Sequence, residues 1–378
     1  MRTYQVISAD GHVEVPLDFA ARMPERYRDL APRLVVKDDG TEWWRMDQWE
    51  LPNRGNLVCE LDYDQFVPTM CRYHRPDGAP RPGCGDARQR LREQDLDGID
   101  AEVLYPPVYG PAFMRNMIGK DRGAYLAMVQ AYNTYLAQEY CAVAPDRLIG
   151  NAMVPDTGVD DAIAEMERCK KIGLPSVALS MWPNGGPACK PEDDRFFAAA
   201  LDLDVKLSPH ASFGGGPTSP GPSSPDFVLA GEGRGTHTIG QLILRGVFDR
   251  FPKVKFYFAE TQAGWIPYNL MRVDEVYLRW GHFWNVKLKQ MPSDYYRQHT
   301  RFSFTSDRLA IRYRHDIGLD LLMWGSDFPH AIGTYPYSRE FLDEVFEGVP
   351  QAERRKVLVD NVCQFFDLDP EKDLTPTP

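Results

Sequence analysis

Residues 5–13 read Gln5-Val6-Ile7-Ser8-Ala9-Asp10-Gly11-His12-Val13: a short, mostly apolar run that closes on chemically capable side chains. Such a run is a buried strand, and its polar end is where the strand leaves the core. Similar runs follow at residues 100–106, 148–154, 176–181, 205–210, 254–260, 301–306 and 321–327. Several are almost continuously apolar, as parallel strands covered on both faces are. Helical patterns fill the intervals, at 87–96, 122–143, 160–171, 193–203, 236–251, 264–280, 308–315 and 339–346. The alternation predicts an α/β chain forming one (β/α)8 TIM-like barrel domain over residues 1–378, with an open doubly wound sheet as the alternative.

Two stretches break the rhythm. Residues 36–86, rich in Trp, Asp, Gly and Pro, fall where an insertion after the first strand would sit. Residues 211–235 are rich in Gly, Pro and Ser and follow the fifth strand, so they form either a plain surface loop or a lid. The final DLTPTP is expected to fray.

Bulk properties narrow the field. The chain has 378 residues, 43% of them hydrophobic, enough for a large core. A net charge of −11 repels phosphate backbones, which argues against nucleic acid and anionic membrane as partners. No run of eighteen apolar residues is present, and MRTYQVISADGHV lacks the pattern of a signal peptide, so a cytoplasmic location is expected. Seven cysteines at wide spacings, without CxxC, read as reduced thiols.

Barrels of this kind carry their reactive groups at the C-terminal ends of the strands. Those ends hold Asp10, His12 and Glu14 on the first strand, His210 on the fifth, Glu260 on the sixth, and Asp327 with His330 on the eighth. Residues at i, i+2 and i+4 of a strand face one way, so Asp10, His12 and Glu14 could share the barrel mouth. Imidazole with carboxylate suits a divalent metal ion, Zn foremost, with Mn, Fe or Co possible. Each residue also has a bland reading, as a hydrogen-bonded core histidine or a capping aspartate. The conjunction at four strand ends favours chemistry. His74, His237, His282, His299 and His315 lie in loops or helices and read as structural.

The motifs ISADGHVEVP, RLREQDLDGIDAEVLYPP, SPHASFGG, FPKVKFYFAETQAGWIPYNLMRVD, WGSDFPHAIGTYP and DNVCQFFDLD resemble the amidohydrolase-related branch that includes aminocarboxymuconate-semialdehyde decarboxylase and the hydroxybenzoate decarboxylases. The resemblance covers nearly the whole chain. It implies one catalytic divalent metal with His12, His210 and Asp327 as ligands. The fourth ligand is Asp10 or Glu14; Asp10 is favoured because Asp-x-His keeps the Glu-x-His type of pair. Two departures stand out. PSVALSM has no bridging lysine on the fourth strand, which argues for one metal, and Glu260 stands where relatives often carry histidine.

With Asp10, Glu14, Glu260 and Asp327 ionised, one divalent cation leaves the mouth negative, which disfavours a dianionic substrate. The leading expectation is therefore a hydrolase that attacks a C–N or C–C bond of a small cyclic or aromatic molecule with metal-activated water. Asp327 would be the base, Glu260 the proton donor and His330 a hydrogen bond to substrate or oxyanion. Trp182, Trp265, Tyr105 and Tyr109 line an apolar substrate pocket or simply pack the core. The alternatives are a non-oxidative decarboxylase of an aromatic or unsaturated acid, favoured if Lys206 or Arg308 faces the metal, and a non-catalytic metal-binding barrel. A homodimer is expected from the resemblance. Trp43, Trp44 and Trp49 would form its interface or else a local cap.

Overall fold

The computed structural model describes residues 2–52, 59, 72–75, 77–107, 109–211, 213–214 and 234–378. Its strands in chain order are β1 (Ile7–His12), β2 (Arg33–Val36), β3 (Glu42–Met46), β4 (Trp49–Pro52), β5 (Ala101–Tyr105), β6 (Leu148–Met153), β7 (Ser176–Leu179), β8 (Lys206–Pro209), β9 (Phe256–Phe258), β10 (Thr300–Phe304) and β11 (Leu322–Trp324). β1 and β5 to β11 form one sheet in that order, parallel at each step. These are the eight strands expected from the apolar runs, and helices lie between them. The fold is a (β/α)8 barrel.

The ring closes where β1 meets the segment after β11. The His12 amide donates to the Phe328 carbonyl at 2.8 Å, and the Asp327 amide to the Asp10 carbonyl at 3.0 Å. Gly325 makes that approach possible, since a Cβ there would stand 2.5 Å from the Asp10 Cβ. A register shift between Ser8 and Gly11 marks an irregularity of the kind that re-aims side chains at a sheet end. Closing the barrel is thus the same event as bringing Asp10, His12 and Asp327 together.

The helices begin and end for local reasons. Ala87–Asp97 starts with the Asp86 carboxylate accepting from the Gln89 amide at 2.9 Å and stops at Gly98, whose φ is 73°. The span 236–251, expected as one helix, is two (Arg234–Leu244 and Val247–Arg250), because Gly246 adopts φ 66° between them. The segment 308–315 likewise divides, into Arg308–Arg312 and Arg314–Ile317.

The expected insertion contains an antiparallel sheet, β2-β3-β4. Trp44 is buried and Trp49 packs against the main core, so both are used within the chain as a local cap. Trp43 lies under the Lys37 ammonium, 4.0 Å from the ring centre. Large apolar side chains are exposed elsewhere, on the helix Ile266–Trp280 and just after it.

The C-terminal tail does not fray. Leu374 is buried, its amide donates to the Arg2 carbonyl at 2.9 Å, and Thr375 bonds the Asp146 carboxylate through both its amide and its hydroxyl. Composition suggested a loose end; Asp146 and the N-terminal segment hold it. Among the described residues no helix is long and apolar enough to cross a membrane, and Cys84, Cys141, Cys169, Cys189 and Cys363 are buried free thiols.

Candidate metal centre

His12 ends β1 with its Nδ1 2.8 Å from the Pro106 carbonyl. A carbonyl only accepts, so Nδ1 carries the proton and Nε2 offers a lone pair. That lone pair faces carboxylates: Nε2 is 3.2 Å from Asp327 Oδ1 and 3.7 Å from Asp10 Oδ1. His210 Nε2 is 3.5 Å from Asp10 Oδ1 and 3.5 Å from Glu260 Oε2. His330 brings Nδ1 to 2.7 Å from Asp327 Oδ1.

The donor atoms of Asp10, His12, His210 and Glu260 all lie within 4.8 Å of one another, as do those of His12, Glu260, Asp327 and His330. Both oxygens of Asp10 and the Nε2 atoms of His12, His210 and His330 are buried without a hydrogen-bond partner among the described residues. Buried acceptors set against acceptors are costly, and a shared cation removes that cost. The donor set therefore fits a divalent metal, as a mixture of imidazole and carboxylate should.

The electrostatics agree. Burial raises the Asp10 carboxyl well above its ordinary range, with His12 opposing. Burial also acts on Asp327, but the neighbouring His330 and His12 overcome it and hold that carboxyl below the usual range. Burial lowers His12, and it lowers His210 to about 4, so both imidazoles are neutral at neutral pH and their Nε2 lone pairs are available to a cation. His330 is raised despite burial, because Asp327 lies beside it.

Two of the cluster's residues hold strained backbone. Glu260 has φ 54° and Asp327 φ 55°, a left-handed conformation that costs a non-glycine residue about 1–2 kcal/mol. The Glu260 amide is held by Ser303 Oγ at 3.0 Å. These turns direct side chains from the ends of β9 and β11 into the cluster.

Glu14 stays outside both groups of mutually close donors. β1 ends at His12, so the two-residue alternation does not extend to it. Its carboxyl is buried and pushed up to about 7 by desolvation. Tyr105 sits beside the histidines, its ring centre 5.1 Å from that of His210 and 6.1 Å from that of His12, with its hydroxyl bonded to Ser208. Trp182 is buried edge-on to Phe213, 5.0 Å between centres. Trp265 donates to the Thr261 carbonyl at 2.8 Å and packs edge-on to Phe302, which anchors the start of its helix. Lys206 pairs with Asp204 and Asp367, and Arg308 with Glu344, so neither is committed to the cluster. The Tyr109 side chain and nearly all of 211–235, including any lid, lie outside the described residues.

Sequence reading missed Arg90 and Glu102. Arg90 is wholly buried and pairs with Glu102 at 2.6 Å (Nε to Oε2). It also donates to the His12 carbonyl at 3.1 Å and the Phe328 carbonyl at 3.2 Å, and lies over the Phe328 ring at 4.3 Å. One guanidinium thus ties both sides of the closing seam behind the cluster. A glutamate inside the apolar strand Ala101–Tyr105, five residues after the end of the arginine-rich helix Ala87–Asp97, was the available signal.

The comparisons accord with this geometry. A family model described as Amidohydrolase matches residues 65–368. The decarboxylase orsB of Emericella nidulans is 25% identical over 212 residues, a match that spans 53% of this chain and 62% of that protein, less than two thirds of its length. Among solved structures, amidohydrolase map2389c from Mycobacterium avium subsp. paratuberculosis K-10 superposes with a TM-score of 0.70 at 19% identity, covering 97% of this chain and 100% of that one. The 5-carboxyvanillate decarboxylase LigW from Sphingomonas paucimobilis gives 0.67 at 20% identity over 97% and 100%. A dihydroxybenzoic acid decarboxylase from Polaromonas sp. JS666, holding manganese and the inhibitor 2-nitroresorcinol, gives 0.62 at 17% identity over 97% and 98%. With a model match over most of its length and a buried cluster at the barrel mouth, the chain belongs to the amidohydrolase family.

Proposed function

We propose that this chain is a metal-dependent, non-oxidative decarboxylase of a small aromatic acid. The observation that carries the metal is the neutral His12 Nε2 facing the oxygens of Asp327 and Asp10. Asp10, His12, His210 and Asp327 would hold the ion, with Glu260 also in reach. A divalent cation there supplies Lewis-acid attraction for a carboxylate and an adjacent ring oxygen. Zinc suits the ligands, and the manganese in the dihydroxybenzoic acid decarboxylase makes Mn the other ion to test.

The relatives named as decarboxylases support this reading over hydrolysis, reversing the order expected from sequence. The charge argument for a hydrolase also loses force. Glu14 is not in the cluster, so one of the four carboxylates counted at the mouth drops out. In the reaction the bond from ring carbon to carboxylate breaks, its electron pair stays on the ring carbon, and CO2 leaves. A proton then forms the new C–H bond. The His330–Asp327 pair holds a proton at Nδ1, 2.7 Å from the carboxylate, and Glu260 is a second carrier. Tyr105, whose ring packs beside His12 and His210, and the buried Trp182 would be the apolar surfaces that receive an aromatic ring.

The test is a screen of hydroxybenzoic acids with Mn- and Zn-loaded protein, following CO2 release in D2O. Deuterium at the vacated ring carbon is the expected result. Hydrolysis of an amide or ester panel without CO2 release from any acid would overturn the reading.

A further inference from the structure

At the opposite end of the barrel from the metal centre, a cavity of about 270 Å³ opens among the starts of β8, β9 and β10 and the last helix, Asn361–Phe366. Four cations line it, Lys206, Lys253, Lys255 and Arg301, against two carboxylates, Asp204 and Asp367. Both carboxylates are taken by Lys206, at 2.8 and 2.6 Å. No carboxylate among the described residues pairs with Lys253, Lys255 or Arg301.

Arg301 is the unusual member. It is only 8% exposed, yet it donates through Nη1 to no more than the neighbouring Thr300 carbonyl, at 2.8 Å, among the described residues. The nearby acid Asp320 is already paired with Lys356. A guanidinium has five donors in a fork suited to oxyanions, and burying one without an anion is costly. Burial lowers Lys255 below the ordinary lysine value, and the charges of Arg301 and Lys206 lower it further. The positive charge at this face is uncompensated, in a chain whose net charge is −11.

We propose that this cavity binds a small multivalent oxyanion, phosphate being the simplest, with Arg301 as its buried anchor and Lys255 and Lys253 at its rim. The strands here are only a few residues long, so the site lies on the order of 10–15 Å from the metal centre, beyond direct contact with it. It joins three strands and the final helix, so an occupant stabilises the barrel rather than taking part in the chemistry.

The experiment is a series of thermal melts of the metal-loaded full chain with increasing phosphate, at ionic strength held constant with chloride. The wild type is expected to show a saturable rise in Tm of several degrees. Lys255→Gln, a change at an exposed position, should raise the half-saturating phosphate concentration about tenfold, the loss of one charge-assisted contact. Arg301→Gln should abolish the rise. Two results would overturn the proposal: no saturable rise in the wild type, or the same half-saturation in Lys255→Gln, which would place the phosphate elsewhere, the metal centre included.

Discussion

Arg90 donates one N–H to the carbonyl of His12 and another to the carbonyl of Phe328, at 3.1 and 3.2 Å, across the seam that closes the barrel. The residues on either side of that seam, His12 and Asp327, are the centre of the cluster. Arg90 is therefore a positioning residue: wholly buried, it fixes where two donors stand through the backbone on either side. Arg90→Met should destabilise the protein by about 3–5 kcal/mol, because Glu102 is left buried and unpaired. Arg90→Met with Glu102→Leu should recover most of that stability in denaturant melts yet keep a weakened metal affinity. Normal affinity in the double variant would show that the clamp does not position the ligands.

Backbone strain at Glu260 makes a second expectation. Glycine adopts φ 54° without penalty, so Glu260→Gly should stabilise the chelated, metal-free protein by about 1 kcal/mol while impairing function. A loss of stability in differential scanning calorimetry would mean that contacts of the glutamate outweigh its strain.

Asp97 makes stability depend on pH. It accepts from the Ser338 amide at 2.9 Å and from the Ser338 hydroxyl, tying the helix Ala87–Asp97 to the helix Ser338–Val345. Burial pushes its carboxyl up to about 6, against an ordinary 3.8. A proton is held more tightly in the folded than in the unfolded chain. The contribution is complete at pH below the unfolded value and is lost as pH rises through 6. Between pH 5 and pH 8 the wild type should lose about 1–1.5 kcal/mol relative to Asp97→Asn. Parallel pH profiles for the two proteins would contradict this.

Tyr268, Met271 and Leu278 lie on one face of the helix Ile266–Trp280, exposed by 65, 60 and 71%. Trp280, Phe283 and Trp284 cluster at its end. At roughly 200 Å² per large side chain these six expose on the order of 700 Å², near the ~800 Å² that one partner gives a standard interface. Glu275 lies within this face and pairs with Arg272 and Arg279 beside it, a mixed charge that suits a second copy of the same chain. The expected outcome in light scattering is a dimer that Leu278→Glu converts to monomer. A wild-type monomer at tens of micromolar protein would sink the idea.

How far the sequence could be read depends on which interactions are local. The strands were visible because a strand buried on both faces must be apolar along its length. Asp10 and His12 were visible as a pair because two residues is the period of a strand. Glu14 was not decidable that way, since β1 ends at His12 and the alternation ends with it. Arg90 and Glu102 act through contacts with backbone at His12 and Phe328, a relation no local pattern encodes. The tail looked loose because its anchors, Asp146 and Arg2, are more than two hundred residues away in sequence. The inclusion of Glu260 within donor reach, rather than only as a proton carrier, follows from a left-handed turn that composition does not announce.

The central claim is that the acceptors of His12, His210, Asp10 and Asp327 face one another because a divalent cation belongs between them. Metal content by elemental analysis after dialysis, in the wild type and in His210→Ala, tests it most directly. About one equivalent of Mn or Zn is expected in the wild type, and its loss in a variant that keeps its helical circular dichroism. No bound metal in the wild type, even after reconstitution with either ion, would contradict it.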